Sequence, residues 1–127
     1  HYARFDLAMI KKFLGVEIKN MFCTKIASKL VRTYTDKHGL KELCKEILNV
    51  DLNKSSQSSD WSAQELSKDQ LKYASHDVIY LFRLKAKLEE MIVREDRTEF
   101  LQKSFDFLPT RVKLDLAGWN DTDIFSH

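Results

Sequence analysis

Glycine and proline, the residues that tight turns require most, are scarce in this sequence. Three glycines and one proline occur in 127 residues, whereas a β-sandwich or barrel needs many turn residues between its strands. No apolar run approaches the roughly eighteen residues of a transmembrane helix. The scarcity favours helices, and the chain length suits one domain with a real hydrophobic core.

Cysteine is also rare, and its pattern does not indicate a disulfide framework or a zinc site. Cys23 and Cys44 are isolated from each other, and neither has a Cys-x-x-Cys partner or a histidine at zinc-ligand spacing. We therefore predict two buried thiols in a reducing compartment. With no signal peptide seen before the first predicted helix, we expect a cytoplasmic location.

The charge is nearly balanced overall but uneven along the chain. The net charge is +2, and residues 1–54 alone carry eleven Lys/Arg against six Asp/Glu. A basic first half is compatible with a phosphate-rich partner. On charge alone, ordinary solvated helix faces are at least as good an explanation.

Apolar spacing and breaker residues predict a series of helices. Asp6 opens a helix over Leu7–Leu14 that ends at Gly15, and Pro109 stops the last long one. Between them we predict a short strand at Met21–Cys23, a helix from Thr24 to about Arg32, a helix at about Leu40–Leu48, a long helix to about Arg94, and a helical stretch over Glu95–Phe107.

The long helix carries a pair of polar residues that could do chemistry. Its predicted apolar stripe consists of Leu71, Ala74, Val78, Leu81, Phe82, Leu88 and Ile92. Tyr73 and Asp77 are four residues apart and so share one face beside that stripe. Because a buried carboxylate without a partner is costly, Asp77 needs water, a cation or a hydrogen-bond donor. Tyr-x-x-x-Asp alone is nevertheless a weak signal.

Asp6 permits two interpretations from the sequence. As an N-cap or first-turn acid it would stabilise its helix by about 1 kcal/mol. If its helix meets the long one, Asp6 and Asp77 would instead bring two carboxylates to Tyr73. Clustered carboxylates without basic partners are typical ligands of hard divalent cations such as Mg²⁺.

A serine-rich segment precedes the long helix. Val50–Ser59 has the composition of a loop and could be only a connector. It carries Lys54 and Gln57 and leads into Asp60-Trp61, so it could equally contact a substrate.

Three blocks of this sequence, in order and at fitting separations, resemble ribonuclease D-type 3′–5′ exonucleases of the DEDD superfamily, tyrosine subclass. The blocks are His1-Tyr2-Ala3-Arg4-Phe5-Asp6, then Gln57-Ser58-Ser59-Asp60-Trp61-Ser62 with Lys54 ahead of it, and Leu71 to Leu81 with its Tyr-Ala-x-x-Asp-Val core. Cys23-Thr24-Lys25-Ile26-Ala27 resembles the family's Asp-Thr-x-x-Ala helix start, with Cys23 in place of the aspartate. The likeness covers about Tyr2 to Arg94.

The resemblance implies a mainly α chain that forms the C-terminal, helix-rich part of a ribonuclease H-like α/β exonuclease fold. It implies metal-dependent hydrolysis at the 3′ end of nucleic acid, with RNA favoured over DNA, by two Mg²⁺ or Mn²⁺ ions. Asp77 would bind metal directly, Asp6 would support the second metal partly through water, and Tyr73 would orient the attacking water. Lys54, Gln57 and Trp61 are the expected substrate contacts.

The sequence departs from the family at its first motif, Asp-x-Glu, which supplies two of the four carboxylates. No Asp-x-Glu occurs in the chain, and Asp121-Thr122-Asp123 is its nearest imitation. We therefore expect residues 1–127 to be a single, incomplete exonuclease domain, with residues 95–127 as a C-terminal helical extension packed on it. Alone it should be inactive as a nuclease, and it should self-associate through the surface left by the missing strands.

Two alternatives stay open at this point. One is a non-catalytic helical module that binds nucleic acid or protein and derives from an exonuclease, with acids that are only caps and rim charges. The other is a structural α-helical domain with no nucleic-acid role.

Overall fold

Helices account for every regular element in the part of the chain that the structure describes. The structure, a computed structural model, describes residues 1–15, 21–52 and 68–127, and the side chains of residues 68–78 lie outside the described part. In chain order the helices are α1 Ala3–Leu14, α2 Thr24–Val31, α3 Leu40–Leu48, α4 Lys68–Arg94 and α5 Thr98–Leu114, and a wider helical turn at Asp115–Trp119 follows. The prediction of a mainly helical chain is confirmed.

Left-handed backbone at single residues ends the first and third helices. Gly15 (φ 67°) follows α1, and Asn49 (φ 55°) follows α3. Glycine adopts this conformation without strain, and asparagine tolerates it better than most residues. The end of α1 and both ends of α3 lie where the sequence predicted them.

The first helix begins earlier than predicted. The backbone amides of Phe5 and Asp6 both donate to the carbonyl of Tyr2 (3.1 and 3.2 Å), and Tyr2 is the N-cap residue. Asp6 therefore lies inside the first turn. There its negative charge interacts favourably with the helix dipole, but Asp6 does not cap the helix.

The central packing element is α4, which contacts α2, α3 and α5. Leu84, Leu88 and Ile92 are buried at four-residue spacing. They pack in one cluster with Ala27, Val31, Leu43, Cys44, Leu52 and Leu101. Although α4 is 27 residues long, no helix within the described ranges has the apolar character needed to cross a membrane.

Phe82 was wrongly assigned to the apolar stripe of the long helix, because its side chain is 71% exposed. It lies about 120° around the helix from Leu88. The buried face passes instead through Leu84, which the prediction omitted.

A second, smaller cluster joins α1 to α5. Leu7 of α1 packs with Leu108 and Val112 of α5. Pro109 lies inside α5, so the predicted helix stop is wrong. Proline removes one helical hydrogen-bond donor and crowds the preceding turn. Burial of Leu108 and Val112 on either side of it holds the two parts of the helix in line.

The predicted strand at Met21–Cys23 is also wrong. These residues are irregular, and no strand lies within the described ranges to pair with them. Cys23 has extended backbone, and its thiol donates to the carbonyl of His1 at 3.0 Å. Cys23 and Cys44 are both buried thiols outside any disulfide, as expected of core residues.

A buried arginine links α2 to α3. Arg32 is 3% exposed. Its guanidinium donates to Ser28 Oγ (3.1 Å) and the Lys37 carbonyl (2.6 Å) and pairs with Glu46 of α3. The Tyr34 hydroxyl donates to Glu46 at 2.6 Å. This hydrogen bond is the main cause that lowers the pKa of Glu46, and the hydrogen bond from Arg32 lowers it less. Because a buried charge is costly without partners, these contacts fix the connection between the helices.

Substitution of a core leucine tests the central role of α4. We expect Leu88→Ala to lower the free energy of unfolding by about 2–5 kcal/mol, because Leu88 is fully buried and its loss leaves a cavity. Val93→Ala on the same helix should change it by no more than about 0.5 kcal/mol, since Val93 is 70% exposed. Urea unfolding followed by circular dichroism measures both, and equal midpoints would contradict the assigned core face.

Candidate active site

Two predicted site residues lie on the N-terminal half of α4. Helical backbone from Lys68 onward includes both Tyr73 and Asp77, which are one turn apart, about 6 Å along the axis. Their side chains lie outside the described part of the structure. The predicted substrate contacts Lys54, Gln57 and Trp61 also lie outside it, so the roles of all five residues stay predictions.

Asp6 is the predicted site residue whose side chain the structure describes. It is exposed in the first turn of α1. Among the described side chains of residues 1–15, 21–52 and 79–127, none forms a hydrogen bond or ion pair with its carboxylate. An exposed carboxylate without a cationic neighbour is available to a hard divalent cation. The metal-ligand role of Asp6 also stays a prediction.

The N-terminal residue holds the start of α1 against α2. The Nε2–H of His1 donates to the His38 carbonyl at 2.9 Å, and Nδ1 lies 2.7 Å from Thr24 Oγ1. With the proton on Nε2, Nδ1 accepts from the Thr24 hydroxyl. The Lys25 amide also donates to the His1 carbonyl (3.3 Å). Because α2 packs on α4, the helix of Asp6 is anchored to the element that supports the helix of Asp77.

The convergence of Asp6 and Asp77 stays a prediction. Within the described ranges, no group of three His, Cys, Asp or Glu side chains is placed to hold a metal ion. Asp121 and Asp123, the nearest imitation of the missing motif, are exposed in the C-terminal segment.

The sequence does not reveal a carboxylate that Arg4 and Arg111 share. Arg4 donates from Nε and Nη2 to the two oxygens of Asp115 (2.7 and 2.6 Å), and Arg111 donates to one of them (3.1 and 2.9 Å). We call Arg4, Asp115 and Arg111 the carboxylate clasp. The hydrogen bond from Arg4 is the main cause that lowers the pKa of Asp115. The spacing of Arg111 and Asp115, four residues apart, could have indicated half of this clasp.

The clasp also holds the C-terminal segment. Arg4 donates to the Asn120 carbonyl (3.0 Å), and Arg111 donates to the carbonyls of Thr122 (3.0 Å) and Trp119. Trp119 and Phe125 are 48% and 67% exposed. The C-terminal segment is thus held mainly by hydrogen bonds from the two guanidiniums to its backbone carbonyls, and less by packing of its aromatic rings.

Residues 1–93 match the family model of a 3′–5′ exonuclease domain. DNA polymerase I of Aquifex aeolicus is 38% identical over 92 residues, which are 72% of this chain and 16% of the polymerase. Ribonuclease D of Jannaschia sp. is 35% identical over 103 residues, which are 81% of this chain and 26% of that protein.

Solved nuclease structures match the whole chain. Brucella melitensis NrnC with bound Mg²⁺ is 54% identical with a TM-score of 0.90, and it is matched over 100% of this chain and 61% of its own. NrnC bound to pGG is 56% identical with the same TM-score, over 100% of this chain and 61% of its own. The chain thus spans about three fifths of these nucleases and a smaller share of the curated relatives.

Neutralising Asp115 tests the clasp. Asp115→Asn should lower the free energy of unfolding by about 1–3 kcal/mol at pH 7, because two guanidiniums lose a charged acceptor. The folded-state pKa of Asp115 is lowered. Its contribution is therefore complete above the unfolded pKa, about 3.9, and is lost as the pH falls through the folded value. Wild type and variant should converge in stability at that low pH.

A matched control is Asp51→Asn. Asp51 pairs with Lys45 at 3.2 Å, but both side chains are largely exposed, so the expected change is below about 1 kcal/mol. Denaturant melts of wild type and both variants at pH 7 and at pH 3 measure these differences. A pH-independent difference between wild type and Asp115→Asn would contradict the assigned charge interaction.

Proposed function

Because the chain belongs to the 3′–5′ exonuclease family, ribonuclease D type, we propose that its protein removes nucleotides from the 3′ end of RNA by a two-metal mechanism. One observation of this structure carries the proposal for the site. Asp6 is exposed and has no cationic partner in the described part, and it lies in the same family-matched segment as Tyr73 and Asp77.

The available donors fit a hard divalent cation. Asp6 and Asp77 offer carboxylate oxygens, which Mg²⁺ and Mn²⁺ prefer. The nearest guanidinium along α1, that of Arg4, is already engaged by Asp115 and does not neutralise Asp6. The NrnC relative with bound Mg²⁺ supports the same choice of ion. When bound, two such ions would stabilise the charge on the attacking and leaving oxygens of a phosphodiester.

Each proposed residue has a distinct role. Asp77 would hold the first ion directly, and Asp6 would hold the second partly through water. Tyr73, one helical turn before Asp77, would use its hydroxyl to orient the attacking water. The helical backbone of α4 supports the pairing of Tyr73 with Asp77, since it fixes their spacing.

RNA is the proposed substrate class, with DNA as the competing one. Lys54, Gln57 and Trp61 are proposed to contact the strand. NrnC bound to pGG supports a phosphorylated ligand, so pGG is the first substrate to test. Matched RNA and DNA oligonucleotides then measure the contribution of the 2′-hydroxyl.

The arrangement of the domain is part of the proposal. Residues 1–127 would form one exonuclease domain in which residues 95–127 are a C-terminal helical extension. Contacts of α5 with α1 and α2 support this packing. Expressed alone, residues 1–127 should hydrolyse poorly, since the sequence has no Asp-x-Glu.

Self-association is the second part of this proposal. Phe5, Met9 and Phe13 of α1 are exposed at four-residue spacing, and a second copy could bury them. Sedimentation equilibrium of residues 1–127 at micromolar concentration tests this proposal, and data that fit a monomer would contradict self-association.

A catalytically silent module is the alternative function. In that case Asp6→Asn and Asp77→Asn would change stability without changing the binding of Mn²⁺. Isothermal titration of the full-length protein with Mn²⁺ separates the two functions, because the enzyme should lose affinity in both variants.

Asparagine substitutions test the two carboxylates in catalysis. We expect Asp6→Asn and Asp77→Asn to lower kcat/KM for pGG hydrolysis by at least about 100-fold, because each change removes an anionic metal ligand. Asp36→Asn, which neutralises an exposed acid in the connection after α2, should stay near wild type. Wild-type rates in Asp77→Asn would contradict the proposed site.

Removal of one hydroxyl tests the tyrosine. Tyr73→Phe should lower kcat by roughly 100-fold and leave the Kd values for Mn²⁺ and pGG nearly unchanged, since only the water-orienting group is lost. Tyr80→Phe on the same helix is the matched control. An unchanged kcat in Tyr73→Phe would remove Tyr73 from the mechanism.

A further inference from the structure

A cleft on the far side of α1 from Asp6 is lined by basic and aromatic residues. It lies between α1, α2 and α5 and encloses about 350 Å³. Its lining includes Tyr2, Arg4, Lys25, Lys29, Phe107 and Arg111, and none of the described residues contributes a carboxylate to it. We call it the basic cleft.

Positive charge in the basic cleft is only partly compensated. Arg4 and Arg111 share the carboxylate of Asp115, and the charge of Asp121 also acts on Arg4. The Lys25 ammonium lies 4.1 Å from the centre of the Tyr2 ring, a contact that leaves its charge in place. Lys29 is exposed and has no carboxylate partner in the described part of the chain. The cleft therefore has an excess of positive charge.

The walls and size of the cleft suit a small organic anion. Apolar side chains, among them Ile26, Phe107 and Leu108, supply much of its surface. Small-molecule sites typically have volumes of 300–1,000 Å³, apolar walls and a few charged groups. Lysine ammonium groups at the rim are well suited to a phosphate because they donate in several directions.

We propose that the basic cleft binds the phosphate group of a nucleotide, with Lys25 and Lys29 as its principal donors. Arg4 and Arg111 would contribute long-range attraction, because their donor groups are already used by Asp115 and backbone carbonyls. The phosphate could come from a free nucleoside monophosphate or from the backbone of a bound strand.

The basic cleft is separate from the proposed catalytic face. Arg4 and Asp6 are two residues apart, which places them about 160° apart around α1. Asp6 does not line the cleft. The proposal therefore goes beyond exonuclease activity and does not require bound metal.

Binding without metal tests the proposal on the full-length protein. In EDTA, isothermal titration uses GMP, guanosine and a six-nucleotide single-stranded RNA as probes. We expect a phosphate-bearing probe to bind at least about tenfold more tightly than guanosine, and Lys25→Ala/Lys29→Ala to abolish that advantage. Binding of GMP identifies a free nucleotide as ligand, whereas binding of the RNA alone identifies the strand.

Matched variants and salt dependence make the test specific. Lys41→Ala/Lys87→Ala removes two exposed lysines outside the cleft and should bind as wild type does. For the RNA, the cleft variant should have a salt-dependence slope shallower by roughly 1.4, about 0.7 for each lost phosphate contact. If the double substitution impairs folding, Lys29→Ala alone is the second variant, because Lys29 is exposed. It should lose part of the preference for phosphate-bearing probes over guanosine.

Two outcomes would overturn the proposal. One is equal affinity of wild type and the cleft variants for every probe, and the other is the absence of binding by any phosphate-bearing probe. The catalytic site is tested separately, by Mn²⁺ binding and pGG hydrolysis, so a failure of the basic cleft can be distinguished from a failure of the proposed function.

Discussion

One half-buried carboxylate shared by two guanidiniums joins the first helix to the end of α5 in this structure. Asp115, 11% exposed at its side chain, accepts hydrogen bonds from Arg4 near the start of the chain and from Arg111 on α5. Because this carboxylate is largely shielded from solvent, its charged partners stabilise it, and its removal would leave two guanidiniums without their shared acceptor. Three residues after Arg4, Leu7 packs against α5. Asp6 lies between these two anchors, so the position of its carboxylate depends on both.

The second constraint is the burial of one face of α4. Leu84, Leu88 and Ile92 are essentially inaccessible to solvent, and they fix the rotation of this helix against α2 and α3. The same helix carries Tyr73 and Asp77 nearer its N-terminus. Because α2 contacts α4 and is also bonded to His1 ahead of α1, the two halves of the proposed site rest on a common support. The position of the proposed site thus depends on packing that is remote from the reacting groups.

Local signals were sufficient for much of the fold. The ends of α3, the stop at Gly15 and the burial of Leu88 and Ile92 follow from capping residues and apolar spacing, and the structure confirms them. Family membership also followed from short motifs. What the sequence did not reveal depends on contacts between distant residues. Pro109 lies inside a helix whose residues Leu108 and Val112 pack on Leu7, about one hundred positions earlier.

The missed polar groups have the same cause. The buried guanidinium of Arg32 forms an ion pair with Glu46 and a hydrogen bond to the Lys37 carbonyl. Arg4 pairs with Asp115, which lies 111 positions later in the chain. No periodicity in the sequence indicates such pairs. At the candidate site, the sequence supplied Asp6, Tyr73 and Asp77, and the structure adds the exposure of Asp6 and the helical spacing of the other two. The basic cleft had no sequence signal beyond an excess of lysine and arginine in residues 1–54.

The central claim is that Asp6 of α1 and Asp77 of α4 share a site for divalent cations. The most direct test is a crystal structure of the full-length protein grown with Mn²⁺ and measured for its anomalous signal. The account predicts a peak about 2.1 Å from a carboxylate oxygen of Asp77, with Asp6 bound to the same cluster directly or through one water. An anomalous map without a peak at Asp77, or carboxylates of Asp6 and Asp77 on opposite surfaces, would contradict it.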